Sequence, residues 1–214
     1  MSRTRVTSFA ISLDGFGTGE PQTRETPFGH AGERLHEWMF ATRWWRGADE
    51  PGGSGGVDDA FARQFDPGIG AEIMGANKFG PPGWHEDPDW KGWWGPNPPF
   101  HTPTFVLTHH AREPIEMEGG TTFYFIEGTP QEVLKQVREA ADGQDVRIGG
   151  GATIIREFLS AGLIDQLHVV LVPILLGRGS RLWDGLEGLE KDFDVEAVSS
   201  PSGVTHLTFT RTEG

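Results

Sequence analysis

Apolar positions along the chain fall into two periods. Residues 6–13 (VTSFAISL) read as a strand, and residues 104–108 and 121–126 alternate as strands. Residues 71–74, 146–148 and 167–172 are short apolar runs suited to buried strands; Gly75 closes the first and Pro173 the last. Helical spacing predicts a helix over 31–46, with Leu35, Trp38, Met39, Thr42 and Trp45 on one face, and a short one over 58–65. Residues 130–141 form a third helix: Thr129 can cap it, Pro130 suits its first turn, and Val133, Leu134 and Val137 make its stripe. A fourth, 152–161, ends at Gly162. Residues 193–198 and 204–211 read as an antiparallel pair around Pro201-Ser202-Gly203. The order predicts an α/β fold, with a mostly parallel central sheet, helices on both faces and an antiparallel C-terminal strand pair. A single domain over 1–214 is expected, interrupted by long loops or insertions within 14–56 and 80–103. The Gly52–Gly56 stretch reads as an inserted loop, since the pieces beside it are too short to fold alone.

Composition narrows the functions open to such a fold. The 214 residues carry 18 basic and 31 acidic side chains, a formal charge of −13, which disfavours binding to a nucleic-acid backbone. A phosphate site would have to be local. There is no cysteine, so thiol nucleophiles, disulfides and cysteine-held metals are excluded. No apolar run is long enough to span a membrane, and no signal peptide is evident, so a cytoplasmic protein is expected by default.

The strongest chemical signal is Val146-Arg147-Ile148-Gly149-Gly150-Gly151-Ala152-Thr153, a strand running through three glycines into a helix. Glycines admit a ligand close to the backbone, and a helix start offers free N–H groups to a pyrophosphate. The same pattern also serves as a tight turn with no ligand. It is not the dinucleotide fingerprint G-x-G-x-x-G, because Ile154 stands where the last glycine belongs.

The stretch Ile148-Gly149-Gly150-Gly151, Phe158-Leu159, Gly162 to Leu167, Val172 to Gly179 and Leu182-Trp183 resembles the C-terminal reductase domain of riboflavin biosynthesis, a member of the dihydrofolate-reductase-like superfamily. Ser12-Leu13-Asp14-Gly15 and Met74-Gly75-Ala76-Asn77-Lys78 resemble two further motifs of that family. The resemblance implies a dihydrofolate-reductase-like three-layer fold and NADPH across the C-terminal edge of the sheet. Gly149, Gly150, Gly151, Ala152 and Thr153 would hold the pyrophosphate, and Ala10 and Ile11 would line the nicotinamide with main-chain groups. Gly75, Asn77 and Lys78 would approach phosphate. Thr108, His109, His110 and Arg112 would meet the 2′-phosphate, where guanidinium chemistry suits the ligand. Ala76 replaces the family's usual arginine. No metal site is expected: His109 and His110 are adjacent on a strand end and point apart, with no third ligand apparent.

On the substrate side Asp59 is the candidate catalytic residue. By resemblance to dihydrofolate reductases it would bind a ring and supply a proton, for which an apolar cleft would raise its pKa. Asp58 or Asp59 could equally cap the short helix. Trp84, Trp90, Trp93 and Trp94 are an aromatic wall for a flat heterocycle, a private core of the loop or a dimer surface. The apolar run 167–176 and the family resemblance lead us to expect a homodimer. The resulting expectation is an NADPH-dependent reductase of a small heterocyclic or carbonyl substrate; a nucleotide-binding module without turnover is the alternative.

Overall fold

The computed structural model describes residues 2–47 and 51–212. Nine strands form one sheet: β1 (Thr4–Ser12), β3 (Ile69–Gly75), β4 (Pro103–Leu107), β5 (Ile115–Glu116), β6 (Thr122–Ile126), β7 (Asp145–Gly150), β8 (Gln166–Val172), β10 (Phe193–Ser199) and β11 (Thr205–Arg211). Their spatial order is β10-β11-β8-β1-β7-β3-β4-β6-β5. The six strands from β8 to β6 run parallel; β11 and β10 add antiparallel at one edge and β5 at the other. The expected α/β architecture is therefore the observed one. Two short strands, β2 (Phe16–Thr18) and β9 (Ser180–Arg181), pair separately. The sequence pattern leaves both unseen, because two or three residues carry no period.

The two faces of the sheet are covered differently. On one lie α5 (Pro130–Ala140) and α6 (Ala152–Ser160). α5 begins with a reciprocal capping box between Thr129 and Glu132, with Pro130 in its first turn. Val133, Leu134 and Val137 of α5 pack with Ile155, Phe158 and Leu159 of α6 onto Val6, Ile11, Ala71, Ile73, Val146, Ile148, Leu167 and Val169. This face is largely apolar; the buried Thr4 hydroxyl accepts from Arg138 Nη2 of α5 at 3.0 Å.

The opposite face is covered by irregular segments. The single helix expected over 31–46 is broken into a 3₁₀ segment, Gly29–Leu35, then α1 (Glu37–Phe40) and α2 (Arg43–Arg46). Gly32 at φ 55° and Thr42 in an extended conformation cause the breaks; the Thr42 hydroxyl accepts from the Trp45 N–H and so caps α2. Ser54 closes the glycine-rich loop by hydrogen bonds to the backbone of Ala41 and Arg43. α3 (Val57–Ala62) follows, and α4 (Ala76–Phe79) continues from β3. The 80–102 loop is irregular, as expected, and Trp84, Trp90 and Trp94 pack with the sheet residues Met74, Val106, Phe123 and Phe125. Trp84 and Phe100 are buried with Phe79 and Phe123, and Trp94 packs against the group.

The apolar run 167–172 is consumed inside one chain, because β8 lies between β11 and β1 with both faces covered. In its continuation Pro173 and Leu175 are exposed, Leu175 near the exposed Leu13.

Charge is buried where the polar face crosses the middle of the sheet. Glu72 of β3 and Arg147 of β7 are register partners. Arg147 donates from Nε to Glu72 Oε2 at 2.8 Å and also from Nη2, and from Nη1 to the Phe65 carbonyl at 2.8 Å. Neither side chain is exposed beyond 2%. A buried pair adds little net stability, but removing one partner strands the other's charge. Arg147→Met takes both donors from Glu72 Oε2 and leaves the carboxylate only Lys78, 2.9 Å from its Oε1, so it should cost about 3 kcal/mol. Chemical denaturation checks this, and an unchanged midpoint would show that Glu72 does not need its partner.

Candidate functional site

The sheet opens between its two central strands. β1 and β7 pair at Thr4–Val146 and Arg5–Arg147 and no further, whereas β1 stays paired to β8 through Ser12–Val172. The cause is local. Ser8 adopts φ 56°, and the β1–β8 register shifts between Val6 and Phe9. Beyond that bulge the β7-facing edge of Ala10 and Ile11 has no strand partner. Ala10 lies on the polar face of the sheet and Ile11 on the helical face. The Phe9 ring stands close to Gly17 and Gly150: a Cβ at Gly150 would come within 3.1 Å of it.

The glycine turn closes the far side of the opening. Gly150 has φ 110°, and the Gly150–Gly151 peptide is cis. Gly151 starts α6 with no side-chain cap, so the N–H groups of Ala152 and Thr153 are left to a ligand or to water. Gly149 is glycine for another reason: a Cβ there would lie 2.1 Å from Glu72 Oε1 and 2.3 Å from Lys78 Nζ. Those two groups form an ion pair of 2.9 Å over the glycine. Lys78 is thus turned inward, 5.3 Å from the centre of the Phe100 ring, while Asn77 is exposed. Burial holds the Lys78 pKa below its usual value, with Glu72 opposing that shift.

A hydrogen-bonded chain crosses the polar face beside Ala10. The Ser8 N–H donates to His168 Nδ1 at 3.1 Å, which leaves the His168 proton on Nε2. That proton faces His206 Nδ1 at 3.0 Å, and His206 Nε2 in turn faces Asp58 Oδ1 at 2.8 Å. Phe61 stacks on both imidazoles, and Trp38 meets His206 edge-on. Burial drives the His168 pKa down to about 3. Burial lowers His206 as well, against the opposing pull of Asp58.

Neither carboxylate of α3 caps its own helix. Asp58 ends the histidine chain, and Asp59 accepts from the Trp44 N–H and from Arg63 Nε, both at 2.8 Å. Here a sequence expectation is corrected. Burial does act to raise the Asp59 pKa, but those two hydrogen bonds and the charges of Arg63 and Arg43 outweigh it, and the carboxyl is held below its usual value.

The basic residues expected at a 2′-phosphate are gathered after β4 but partly committed. The Thr108 hydroxyl accepts from the His110 N–H, His109 pairs with Glu127 at 2.8 Å, and His110 stacks on His85 with centroids 3.5 Å apart. Arg112 donates from Nη2 to the Pro88 carbonyl and lies 5.8 Å from the centre of the Phe125 ring. Its Nη1 is covered and has no partner among the described residues. Asp14, of the Ser12-Leu13-Asp14-Gly15 motif, is structural: its carboxylate takes the Ser12 hydroxyl and the N–H groups of Leu176 and Gly177. The Ser12 bond is the largest cause of its pKa falling to about 2.

A family model described as the RibD C-terminal domain matches residues 4–211. The chain belongs to that family. No curated protein sequence matches it. Solved structures share the fold of this RibD C-terminal domain. A protein from Shewanella sp. PV-4, provisionally assigned to riboflavin biosynthesis, is 22% identical with a TM-score of 0.62, and the match covers 99% of each chain. Dihydrofolate reductase from Enterococcus faecalis, complexed with NADP(H), is 14% identical with a TM-score of 0.51, over 98% of this chain and 97% of that one. The Thermotoga maritima diaminohydroxyphosphoribosylaminopyrimidine deaminase/5-amino-6-(5-phosphoribosylamino)uracil reductase is 11% identical with a TM-score of 0.54; the match covers 99% of this chain and 57% of that larger one. The family match points to reductase chemistry, and the two named enzymes share the fold. Among the described residues no helix is long and apolar enough to cross a membrane, and no three potential ligands cluster around a metal position.

The sequence reading overlooked Glu72, Arg147, His168, His206 and the inward role of Lys78. The signal was present in part: Glu72 interrupts the apolar run 71–74, and Arg147 the run 146–148. Opposite charges in two buried strands can only be tolerated as partners.

The histidines make stability depend on pH. Their folded pKa values lie below the 6.5 of the unfolded chain, so below pH 6.5 the unfolded state binds more protons and stability falls as pH drops toward about 3. For His168 alone the loss at pH 5 is about 2 kcal/mol. Melting temperature should fall between pH 7 and pH 5 in the native protein and less steeply in His168→Gln. Parallel slopes would remove His168 from this role.

Proposed function

We propose that this RibD C-terminal domain is an NADPH-dependent reductase whose cofactor lies across the opening between β1 and β7. The observation that carries the reading is the uncapped start of α6 behind Gly149-Gly150-Gly151, at the end of a gap that leaves the main chain of Ala10 and Ile11 without a strand partner on the β7 side. The residues present fit the group. A dinucleotide pyrophosphate needs free N–H groups and no Cβ in the way; Ala152 and Thr153 supply the first and the glycines the second. The covered, unpartnered Nη1 of Arg112 fits a 2′-phosphate oxygen, with Thr108, His109 and His110 beside it. Gly75 and Asn77 end β3 and begin α4 at the same edge.

When bound, NADPH supplies the hydride. The chain's own residues bind and orient. Glycine backbone and Arg112 fix the two phosphate ends, and Ala10 and Ile11 present main-chain groups to the ring. The polar face, with its histidine chain and the Glu72–Lys78–Arg147 cluster, receives the substrate, a small heterocyclic or carbonyl compound. Asp59 has both oxygens engaged and is held ionised, so it acts in this reading as a fixed acceptor that shapes α3, and the proton reaches the product from elsewhere. The reaction named for the T. maritima neighbour, reduction of 5-amino-6-(5-phosphoribosylamino)uracil, is the first substrate to assay. A homodimer is part of this reading through the family resemblance and the exposed Leu13 and Leu175.

Calorimetric titration with NADPH and NADH should favour NADPH by roughly 1–3 kcal/mol, the worth of charge-assisted bonds to the 2′-phosphate. Equal affinities would remove that assignment. Gly150→Asp places bulk and negative charge at a φ of 110° beside the turn. It should weaken NADPH on the order of a hundredfold. Its melting temperature must be followed too, because a side chain at that φ is strained. A folded variant that binds NADPH as tightly as the parent would defeat the phosphate reading. Binding without oxidation across a carbonyl and heterocycle panel would favour a nucleotide-binding module.

A further inference from the structure

The buried chain from Ser8 through His168 and His206 to Asp58 has a fixed direction. A backbone N–H can only donate, so His168 Nδ1 accepts from Ser8 and carries no proton. His168 Nε2 then donates to His206 Nδ1 at 3.0 Å, and His206 Nε2 donates to Asp58 Oδ1 at 2.8 Å. An amide at one end and a carboxylate at the other leave each ring neutral and in one tautomer. The chain is not a proton path into the opening, because its inner end is an amide with no proton to pass on.

That inner end is a clamp instead. Ser8, at φ 56°, is not held by its own side chain: its hydroxyl is covered and has no partner among the described residues. What meets it is the bond from its N–H to His168. The opening depends on this residue. Val6 pairs with Leu167 but Phe9 with Val169, so β1 carries one residue more than β8 across the bulge. A one-residue slip exchanges the faces of every side chain beyond it. The bulge thus sets Ala10 on the polar face and Ile11 on the helical one, and brings the Phe9 ring against Gly150.

We propose that His168 and His206 are positioning residues of the reductase site, bracing the Ser8 bulge from behind so that the β7-facing edge of Ala10 and Ile11 stays open to the nicotinamide. Neither imidazole touches the ligand. The nicotinamide rests on the reductase reading; the brace does not. Acid releases it whichever ring takes the proton. On His168 the vacant nitrogen is Nδ1, which would then face the Ser8 N–H donor to donor. A proton on His206 Nδ1 faces the His168 Nε2–H, and His168 can answer only by moving its proton to Nδ1. Asp58 is the one charged group paired with either ring among the described residues; Phe61 and Trp38 are the aromatic neighbours. Burial holds both imidazoles below the ordinary 6.5, so the brace is intact at neutral pH and lets go in acid.

The test follows the nitrogen–nitrogen NMR coupling across the Ser8–His168 hydrogen bond, with NADPH affinity by calorimetry and melting temperature beside it. The native protein should show the coupling at pH 7. His168→Leu removes the acceptor and should weaken NADPH about tenfold, since the strained Ser8 conformation is no longer offset. His168→Asn keeps an acceptor near the Nδ1 position and cannot titrate. It should recover most of the affinity and lose less of it than the native protein as pH falls below 6.5. Ser8→Gly removes the strain and should restore affinity in the His168→Leu background. If His168→Leu melts, Asp58→Asn takes its place: an amide donates as well as accepts, so the chain is free to reverse, and coupling and affinity should both fall. No coupling in the native protein, or equal NADPH affinity in native and His168→Leu, overturns the brace. Unchanged affinity with turnover lost makes the chain a proton path instead. Equal acid loss in native and His168→Asn overturns the release by acid. Should the native protein show the coupling and not bind NADPH, the reductase reading falls. The brace is then judged from the Ala10 and Ile11 amide signals, which should move in His168→Leu and hold in His168→Asn; signals unmoved in both overturn it.

Discussion

The parting of β1 from β7 after two paired residues is the constraint on which the rest of the site depends. A parallel sheet left to itself continues its ladder, because an unpaired N–H or carbonyl in a covered position is costly. Here the ladder stops because Ser8 sits at φ 56° and shifts the following residues against β8. A non-glycine residue in that conformation costs of the order of 1–3 kcal/mol and persists only when its surroundings hold it. The hold is visible: the Ser8 N–H is taken by His168 Nδ1, His168 is tied to His206, and His206 to Asp58. A bulge in one strand is thereby anchored to the far antiparallel edge and to α3. The opening it creates ends at the glycine turn, which provides uncapped N–H groups at the place where the sheet has space.

The division of labour between the two faces follows. Regular helices cover the largely apolar face, where uniform stripes pack densely and few polar partners are needed. The other face carries the buried Ser8, Asp58, Asp59, Glu72, Arg147, His168 and His206. Each of those groups needs hydrogen bonds with particular directions, and long straight helices rarely supply them. Short helices broken at Gly32 and Thr42 do, because their ends and turns present backbone groups, such as the Trp44 N–H that holds Asp59. Irregularity of the cover and polarity of the face are one arrangement.

Much of the frame was legible in the sequence. The buried strands, α5 with its Thr129 cap and Pro130, α6 behind three glycines and the final hairpin all follow from periodicity and local punctuation. What was not legible depends on partners far apart in the chain. Arg147 meets Glu72 across 75 positions, and His206 meets Asp58 across 148. Local pattern makes a helix of 31–46, but the tertiary demand for turns on the polar face prevails. Asp59 fits a proton donor by its place before β3, and only the neighbours Trp44 and Arg63 reveal that it is held ionised. The glycine turn was found as a candidate, although a second reason for Gly149, the Glu72–Lys78 pair above it, could not be read from the run of glycines.

That second reason has an evolutionary side. Any side chain at 149 would collide with both Glu72 and Lys78, so the position is closed to change for as long as those two residues stand. Conversely, shortening Glu72 alone would open the space but strand Arg147 beneath it. Residues 72, 147 and 149 therefore form an epistatic block: single steps out of it are costly, and a descendant lineage could leave it only through paired replacements. Such a block narrows the paths by which a descendant could exchange the charge of this site for another.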